Sequence, residues 1–412
     1  MPSVRPAELI LAEVGDADGA FSLWRILTDL QTWSNAPEEL RTGVFHAGAS
    51  AALELPAGIA AAGPPFARIW SPRDQPAFSE LTRACAVVWE WAERQGHTEV
   101  ALQFAEAAAR LDPHSAARAS TAGRLCRRKS ERIRGTMWFR RAVRLARLSR
   151  EKKAEIEFAI AHLGWGNLES DLGRFQAAEY HATKGFKAAL RAGRRSLAAS
   201  AYHDLMTISI HTERFERAEA FARDAVAFYR SDHPRLPALA HDVAFLWSRL
   251  GYFSSATPLY EMTLPFVALT AERVVVLANL ARAAGACRDR LRYERAFQSI
   301  DQLAATGGQI PASAFYHVAE GCRSFEEWAR AGRYCTRALE AARSRGNALI
   351  VAQAERLARQ IDAREPGDVD TLPPLGGAID QMRETLMRKM RKHPVPAEAR
   401  GAVPPEKYPI ER

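Results

Sequence analysis

A short phrase returns along this chain at a near-constant interval, and nothing else in the sequence restricts its fold as strongly. Gly173-Arg174-Phe175-Gln176-Ala177-Ala178-Glu179 recurs as Glu213-Arg214-Phe215-Glu216-Arg217-Ala218-Glu219. It returns as Gly251-Tyr252-Phe253-Ser254-Ser255-Ala256 and, more loosely, as Leu291-Arg292-Tyr293-Glu294-Arg295-Ala296. The small residues Ala178, Ala218, Ala256 and Ala296 stand 40, 38 and 40 positions apart. Self-similarity at this period predicts stacked helical hairpins, each able to bury its apolar face only against a neighbour. Such arrays present an extended concave surface more readily than a catalytic pocket.

Apolar periodicity broken at Gly and Pro divides the chain further. Hairpins are expected at 77–95 with 98–111, then over 115–148, 153–192, 196–230, 235–268 and 271–305, with a final group at 311–363. Residues 1–75 stand outside the repeat and read as a helical N-terminal cap, with a helix over 21–33 and an Ala/Gly/Pro-rich loop over 47–65. Glu365-Pro366-Gly367, Pro373-Pro374 and Gly376-Gly377 read as a linker over 364–377. Residues 378–392 then form an amphipathic helix with Ile379, Met382, Leu386 and Met390 on one side and basic residues at its end, where they suit the helix dipole. That helix is expected to be tethered rather than packed. The last twenty residues carry five prolines and are expected to be disordered.

The phrase Gly-Arg-Phe-x-x-Ala with further alanines one and two turns on resembles the turn and second helix of the tetratricopeptide repeat. Gly173, Phe175, Ala178 and Ala182 carry it, as do Phe215, Ala218, Ala222 and Ala225, and Gly96, Ala101, Ala105, Ala108 and Pro113. The resemblance covers 76–363, with a longer period than the family's 34 residues. It implies an all-α fold, a right-handed α-solenoid of such hairpins behind the helical cap. It also implies a non-enzymatic adaptor or scaffold that binds protein or peptide in a bacterial regulatory or assembly complex. The alternatives are a ligand- or peptide-sensing regulator and a nucleic-acid-associated factor. In this family the first helix of each hairpin lines the groove. Carried over, the groove residues are Asn167, His203, Thr207, His211, His241, Phe245, Arg249, Arg282 and Arg288.

Charge adds a second expectation. Between Arg118 and Lys153 there are 14 Lys or Arg against Glu131 and Glu151, in a chain whose net charge is +9. The remaining residues are therefore slightly acidic, and the basic character belongs to one segment. Arg124, Arg127 and Arg128 are the expected patch for an acidic protein partner, favoured over nucleic acid, which would need phosphate neutralisation. Self-association stays open.

Enzyme chemistry finds little support. His203-Asp204 and His241-Asp242 hint at a metal phosphohydrolase, but they stand 38 residues apart, so repetition explains them without a metal. Gly164-Trp165-Gly166 lacks the third glycine of a dinucleotide loop. The five cysteines form no CxxC pair, which suggests neither zinc nor a disulfide framework and suits a reducing cytoplasm. No cofactor, metal site, transmembrane span or signal peptide is expected.

Overall fold

The computed structural model describes residues 6–41, 53–71, 74–151, 153–267, 270–305, 310–344, 347–372 and 377–395. Among these, regular structure is helical throughout and no strand occurs. The fold is all-α and built of repeating helical hairpins. It divides into two compact units, 1–204 and 205–412.

The N-terminal unit opens with α1 (Pro6–Val14), α2 (Ala17–Asn35), α3 (Glu38–Arg41) and α4 (Gly63–Ala67). Three hairpins follow: α5 (Phe78–Gln95) with α6 (Thr98–Leu111), α7 (Ala116–Arg128) with α8 (Arg132–Leu148), and α9 (Ala154–Asp171) with α10 (Phe175–Arg191). Helix α11 (Arg195–His211) runs through the division between units. The cap is fastened at a defined point. Glu13 of α1 accepts hydrogen bonds from the amides of Glu99 and Val100 at 2.7–3.1 Å, satisfying the otherwise orphaned donors that open α6. Leu23, Ile26 and Trp33 of α2 join Phe104 and Ala108 of α6 in one core. The described part of the segment expected as a loop is largely helical: 3-10 turns at Ala57–Ala62 and Arg68–Trp70 flank α4. These pieces bury Ile59, Phe66 and Trp70, yet each is too short for helical periodicity to register in the sequence.

A pair of histidines lies inside this unit. The Nδ1 atoms of His162 and His181 are 2.8 Å apart, and Trp165 stacks on His181 at 4.1 Å. Burial pushes His162 down to about 3 and lowers His181 as well. The folded chain therefore binds fewer protons than the unfolded chain. Stability is full above the ordinary imidazole value of about 6.5 and is lost as pH falls towards 3. The melting temperature of the N-terminal unit is expected to drop by several degrees between pH 7 and pH 5. His162→Phe should flatten that slope in calorimetric scans, and parallel slopes for variant and parent would contradict this account.

In the C-terminal unit, α12 (Phe215–Phe228) is followed by hairpins α13 (Leu236–Arg249) with α14 (Phe253–Thr263) and α15 (Thr270–Ala286) with α16 (Arg290–Ala305). Helices α17 (Ala312–Ser324), α18 (Trp328–Ser344), α19 (Ala348–Asp362) and α20 (Ala378–Arg391) complete it. The recurring alanines are packing positions: Ala178, Ala218 and Ala256 are fully buried and Ala296 is 2% exposed. Hairpin turns pass through one left-handed residue, with φ +69 at Gly173, +56 at Glu213, +85 at Gly251, +58 at Arg288 and +60 at Glu326. Glycine takes this conformation freely, whereas the other side chains are strained in it.

Two expectations for the C-terminal end are corrected. The Pro/Gly-rich stretch after α19 is not a free linker over its described part. Thr371 N donates to Gly251 O at 2.8 Å, Asp370 N donates to Ala286 O at 3.3 Å, and Asp370 Oδ1 accepts from Ser254 N at 2.9 Å. Nor is α20 merely tethered. It packs on α12, α13 and α14 and buries Met382, Leu386 and Met390. Lys389 Nζ donates to the carbonyls of Val226 and Tyr229 at the end of α12, where helix carbonyls lack partners. Of the expected linker, 373–376 lie outside the described residues, as do 396–412 of the expected disordered tail.

Candidate functional site

In the C-terminal unit the first helices of successive hairpins, α13, α15 and α17, contact one another in order. Glycines bring α15 and α17 together: a Cβ on Gly285 would lie 3.0 Å from the Gly321 carbonyl oxygen. With the last turn of α11, these helices line a cleft of about 220 Å³. Each hairpin contributes one polar residue at the same repeat position, His241, Asn279 and His317, separated by 38 residues. Ile210, Phe245 and Val275 supply apolar lining.

Hydrogen bonds fix the protons in this row. Asn279 Nδ2 lies 3.1 Å from His241 Nε2 and can only donate, so Nδ1 of that imidazole carries the proton and donates to Asp242 Oδ1 at 2.9 Å. Burial lowers His317 below the ordinary imidazole value, and its Nδ1–H donates to Glu320 Oε2 at 3.2 Å. The His317 ring meets Phe245 edge-on, with centroids 6.2 Å apart. The row therefore offers oriented dipoles beside an apolar wall.

One turn further along the same helices lies a buried charge cluster. Arg282 Nε is 3.0 Å from Glu320 Oε2, and its Nη2 is 2.6 Å from Asp368 Oδ2. Burial opposes ionisation of Glu320, but Arg282 and His317 together hold its carboxyl down at about 2. Burial likewise opposes the charge on Arg282, yet Glu320 and Asp368 raise it above its ordinary value. Tyr316 donates to Glu320 Oε1 at 3.0 Å, and Arg323 Nη1 donates to Gln360 Oε1 at 2.8 Å. Residues 365–372 thus run as an extended acidic strap across the ends of α17, α15 and α13.

The expected groove residues divide accordingly. Thr207, His211, His241 and Phe245 line the cleft. Arg282 lies beneath the strap rather than open to a ligand. Arg249 pairs with Glu213 at 2.9 Å, and Arg288 donates to the Ser324 carbonyl. Asn167 and His203 belong to the N-terminal unit. There Asn167 Nδ2 is 3.4 Å from Asp204 Oδ2, and His203 is only 1% exposed, out of a ligand's reach. Sequence reasoning missed Asn279 and His317, although stepping 38 residues from His241 finds both.

The three arginines of the expected patch each meet a carboxylate of this chain. Arg124 and Arg128 share Glu93 at 2.7 and 2.5 Å, and Arg127 meets Asp171 at 2.6 Å. Against partial burial, the two arginines hold Glu93 below the usual carboxylate range. Lys129 and Arg134 pair with Glu99 and Glu106. Acidic residues from outside the basic segment therefore neutralise much of it in space. Among the described residues, no group of three His, Cys, Asp or Glu is placed to hold a metal ion, and no helix is long and apolar enough to cross a membrane.

No protein-family profile matches the chain, and no curated protein matches it. Among solved structures it is similar to aspartyl phosphate phosphatase F from Bacillus subtilis, with 13% identity, 73% of this chain and 74% of that chain covered, and a TM-score of 0.45. It is similar to the apo form of RapI, with 11% identity, 69% and 98% covered, and a TM-score of 0.44. It is also similar to PilF of Pseudomonas aeruginosa, with 15% identity, 68% and 98% covered, and a TM-score of 0.36. All three scores are below 0.5, so the repeat fold rests on the hairpins themselves.

Proposed function

We propose that this chain is a non-enzymatic adaptor that binds a protein or peptide segment, and that the cleft along α13, α15 and α17 receives it. One observation carries the reading: each hairpin brings one polar side chain to the same repeat position, His241, Asn279 and His317, beside Phe245 and Val275. A row repeating along a stack suits an extended chain, whose own donors and acceptors also repeat. Size argues in the same direction. At about 220 Å³ the cleft is smaller than the roughly 300–1,000 Å³ of small-molecule sites, so it suits one or two peptide side chains better than a cofactor. The tetratricopeptide resemblance supports the same use of the first helices, with a cytoplasmic, bacterial regulatory or assembly role as its setting.

The test uses displayed random twelve-residue peptides selected on the intact chain. Enriched peptides should bind at least tenfold more weakly to Phe245→Ala and to Asn279→Ala, as measured by fluorescence anisotropy. Failure to enrich any peptide, or equal binding to both variants, would remove the cleft as the site.

A further inference from the structure

The outer face of α8 carries a combination that neither the fold nor the cleft uses. The inner face of this helix is committed: Gly135, Phe139, Ala142, Val143 and Ala146 are buried within the N-terminal unit. On the other side, Ile133 is 80%, Met137 66% and Leu148 69% exposed, and Arg140 and Arg144 are exposed with them. Spacings of 4, 3, 4 and 4 residues from Ile133 through Met137, Arg140 and Arg144 to Leu148 place all five on one stripe of the helix. No Asp or Glu occurs between Arg132 and Arg150. Three cations beside this stripe are occupied. Arg134 binds Glu106, Arg141 donates to the Pro113 carbonyl, and Arg147 lies over Phe158. Among the described residues, Arg140 and Arg144 join no ion pair.

From this arrangement we infer that the outer face of α8 docks an acidic amphipathic helix of a partner protein. Its apolar residues would meet Ile133 and Met137 at one end and Leu148 at the other, with carboxylates set between them against Arg140 and Arg144. Charge complementarity fixes the sign of the partner. The order along the stripe fixes its class. A helix lying on a bilayer keeps its cations beside the apolar face and sinks that face among the acyl chains. Here the two arginines sit in the middle of the stripe, between Met137 and Leu148. Nucleic acid would use the arginines but gains nothing from exposed Ile, Met and Leu, which offer no stacking surface. A carboxylate-bearing helix uses both, since guanidinium forks pair carboxylates in fixed geometry. The surface lies within the N-terminal unit, and the inference does not rest on the cleft.

A labelled eighteen-residue helical peptide with Leu at both ends of one face and Glu between them is the probe. A scrambled peptide of equal composition, phosphatidylcholine/phosphatidylglycerol vesicles and a duplex DNA are the comparators. The intact chain should bind the patterned peptide at least tenfold more tightly than the scramble, with affinity falling as salt rises. Arg140→Glu/Arg144→Glu should cost at least tenfold, and Ile133→Ala/Met137→Ala should weaken binding while leaving the salt dependence in place. All four positions are exposed, so circular dichroism should be unchanged; Arg144→Gln alone serves if the double variant misfolds. Equal binding of patterned and scrambled peptides overturns the proposal, as does indifference to the arginine changes. Vesicle or DNA binding that exceeds peptide binding and is lost in Arg140→Glu/Arg144→Glu would give the face to a membrane or to nucleic acid instead.

Discussion

Arg282→Ala should destabilise the C-terminal unit by about 3–5 kcal/mol, the usual effect of stranding one partner of a buried ion pair. The side chains of Arg282 and Glu320 are 13% and 7% exposed, so water cannot replace the lost guanidinium. The pH dependence makes the cause visible. In the parent, Glu320 is held at about 2, so its contribution to stability is present above the unfolded carboxylate value and is lost as pH falls through 2. Without Arg282, burial dominates and the carboxyl rises above its ordinary value. Acidification should then protonate Glu320 in the folded state and recover part of the loss. Urea melts at pH 7 and pH 5 should show a smaller gap between variant and parent at the lower pH. A constant gap would mean that Arg282 acts through packing alone.

Leu386→Asp should undock α20. Leu386 is fully buried and Met390 is 1% exposed, and burying each such side chain contributes about 1.5–3 kcal/mol before the cost of ordering the helix. Because the helix can leave the surface rather than bury a carboxylate, the loss is capped by the docking free energy of α20. Tryptic cleavage at Arg388 and Lys389 should accelerate by on the order of a hundredfold, since cleavage follows the population of the open form. Deleting 373–412 should lower the melting temperature of the C-terminal unit to the same extent. A truncated chain that melts like the parent would show that the docked helix contributes nothing.

What the sequence revealed and what it hid divide along a physical line. Repeating alanines and turn phrases are local signals, and the hairpins fall where those signals place them. The apolar stripe of α20 was likewise readable, with Met382, Leu386 and Met390 identified from spacing alone. Its partner surface was not, because the acceptors at Val226 and Tyr229 lie some 160 residues away. The strap failed for a different reason. Pro366 and Gly367 read as flexible by composition, but a residue at 367 must lie against Ser324, where a Cβ would come within 2.6 Å of the backbone. Glycine there permits close approach as well as freedom. In the cleft, His241 and its 38-residue step were visible, but the third hairpin was set three residues out of register, so Arg282 stood in for Asn279. The carboxylates that Arg124, Arg127 and Arg128 meet, Glu93 and Asp171, were hidden because counting along the chain cannot find them.

The returning strap and helix alter how the C-terminal unit comes into being. A stack of hairpins has mostly short-range contacts, so it can assemble from any point and fray from either end. Here bonds between residues 86, 116 and about 160 positions apart (Arg282 with Asp368, Ser254 with Asp370, Val226 with Lys389) tie the strap and α20 to helices made long before them. Such loop closures slow folding, and on the ribosome they must wait until residues 365–391 have emerged. A chain cut short before residue 365 would keep its hairpins but expose the surfaces that the strap and α20 cover, a form open to proteolysis. The same closures couple hairpins that would otherwise melt one after another, so the finished unit should unfold as a single cooperative body.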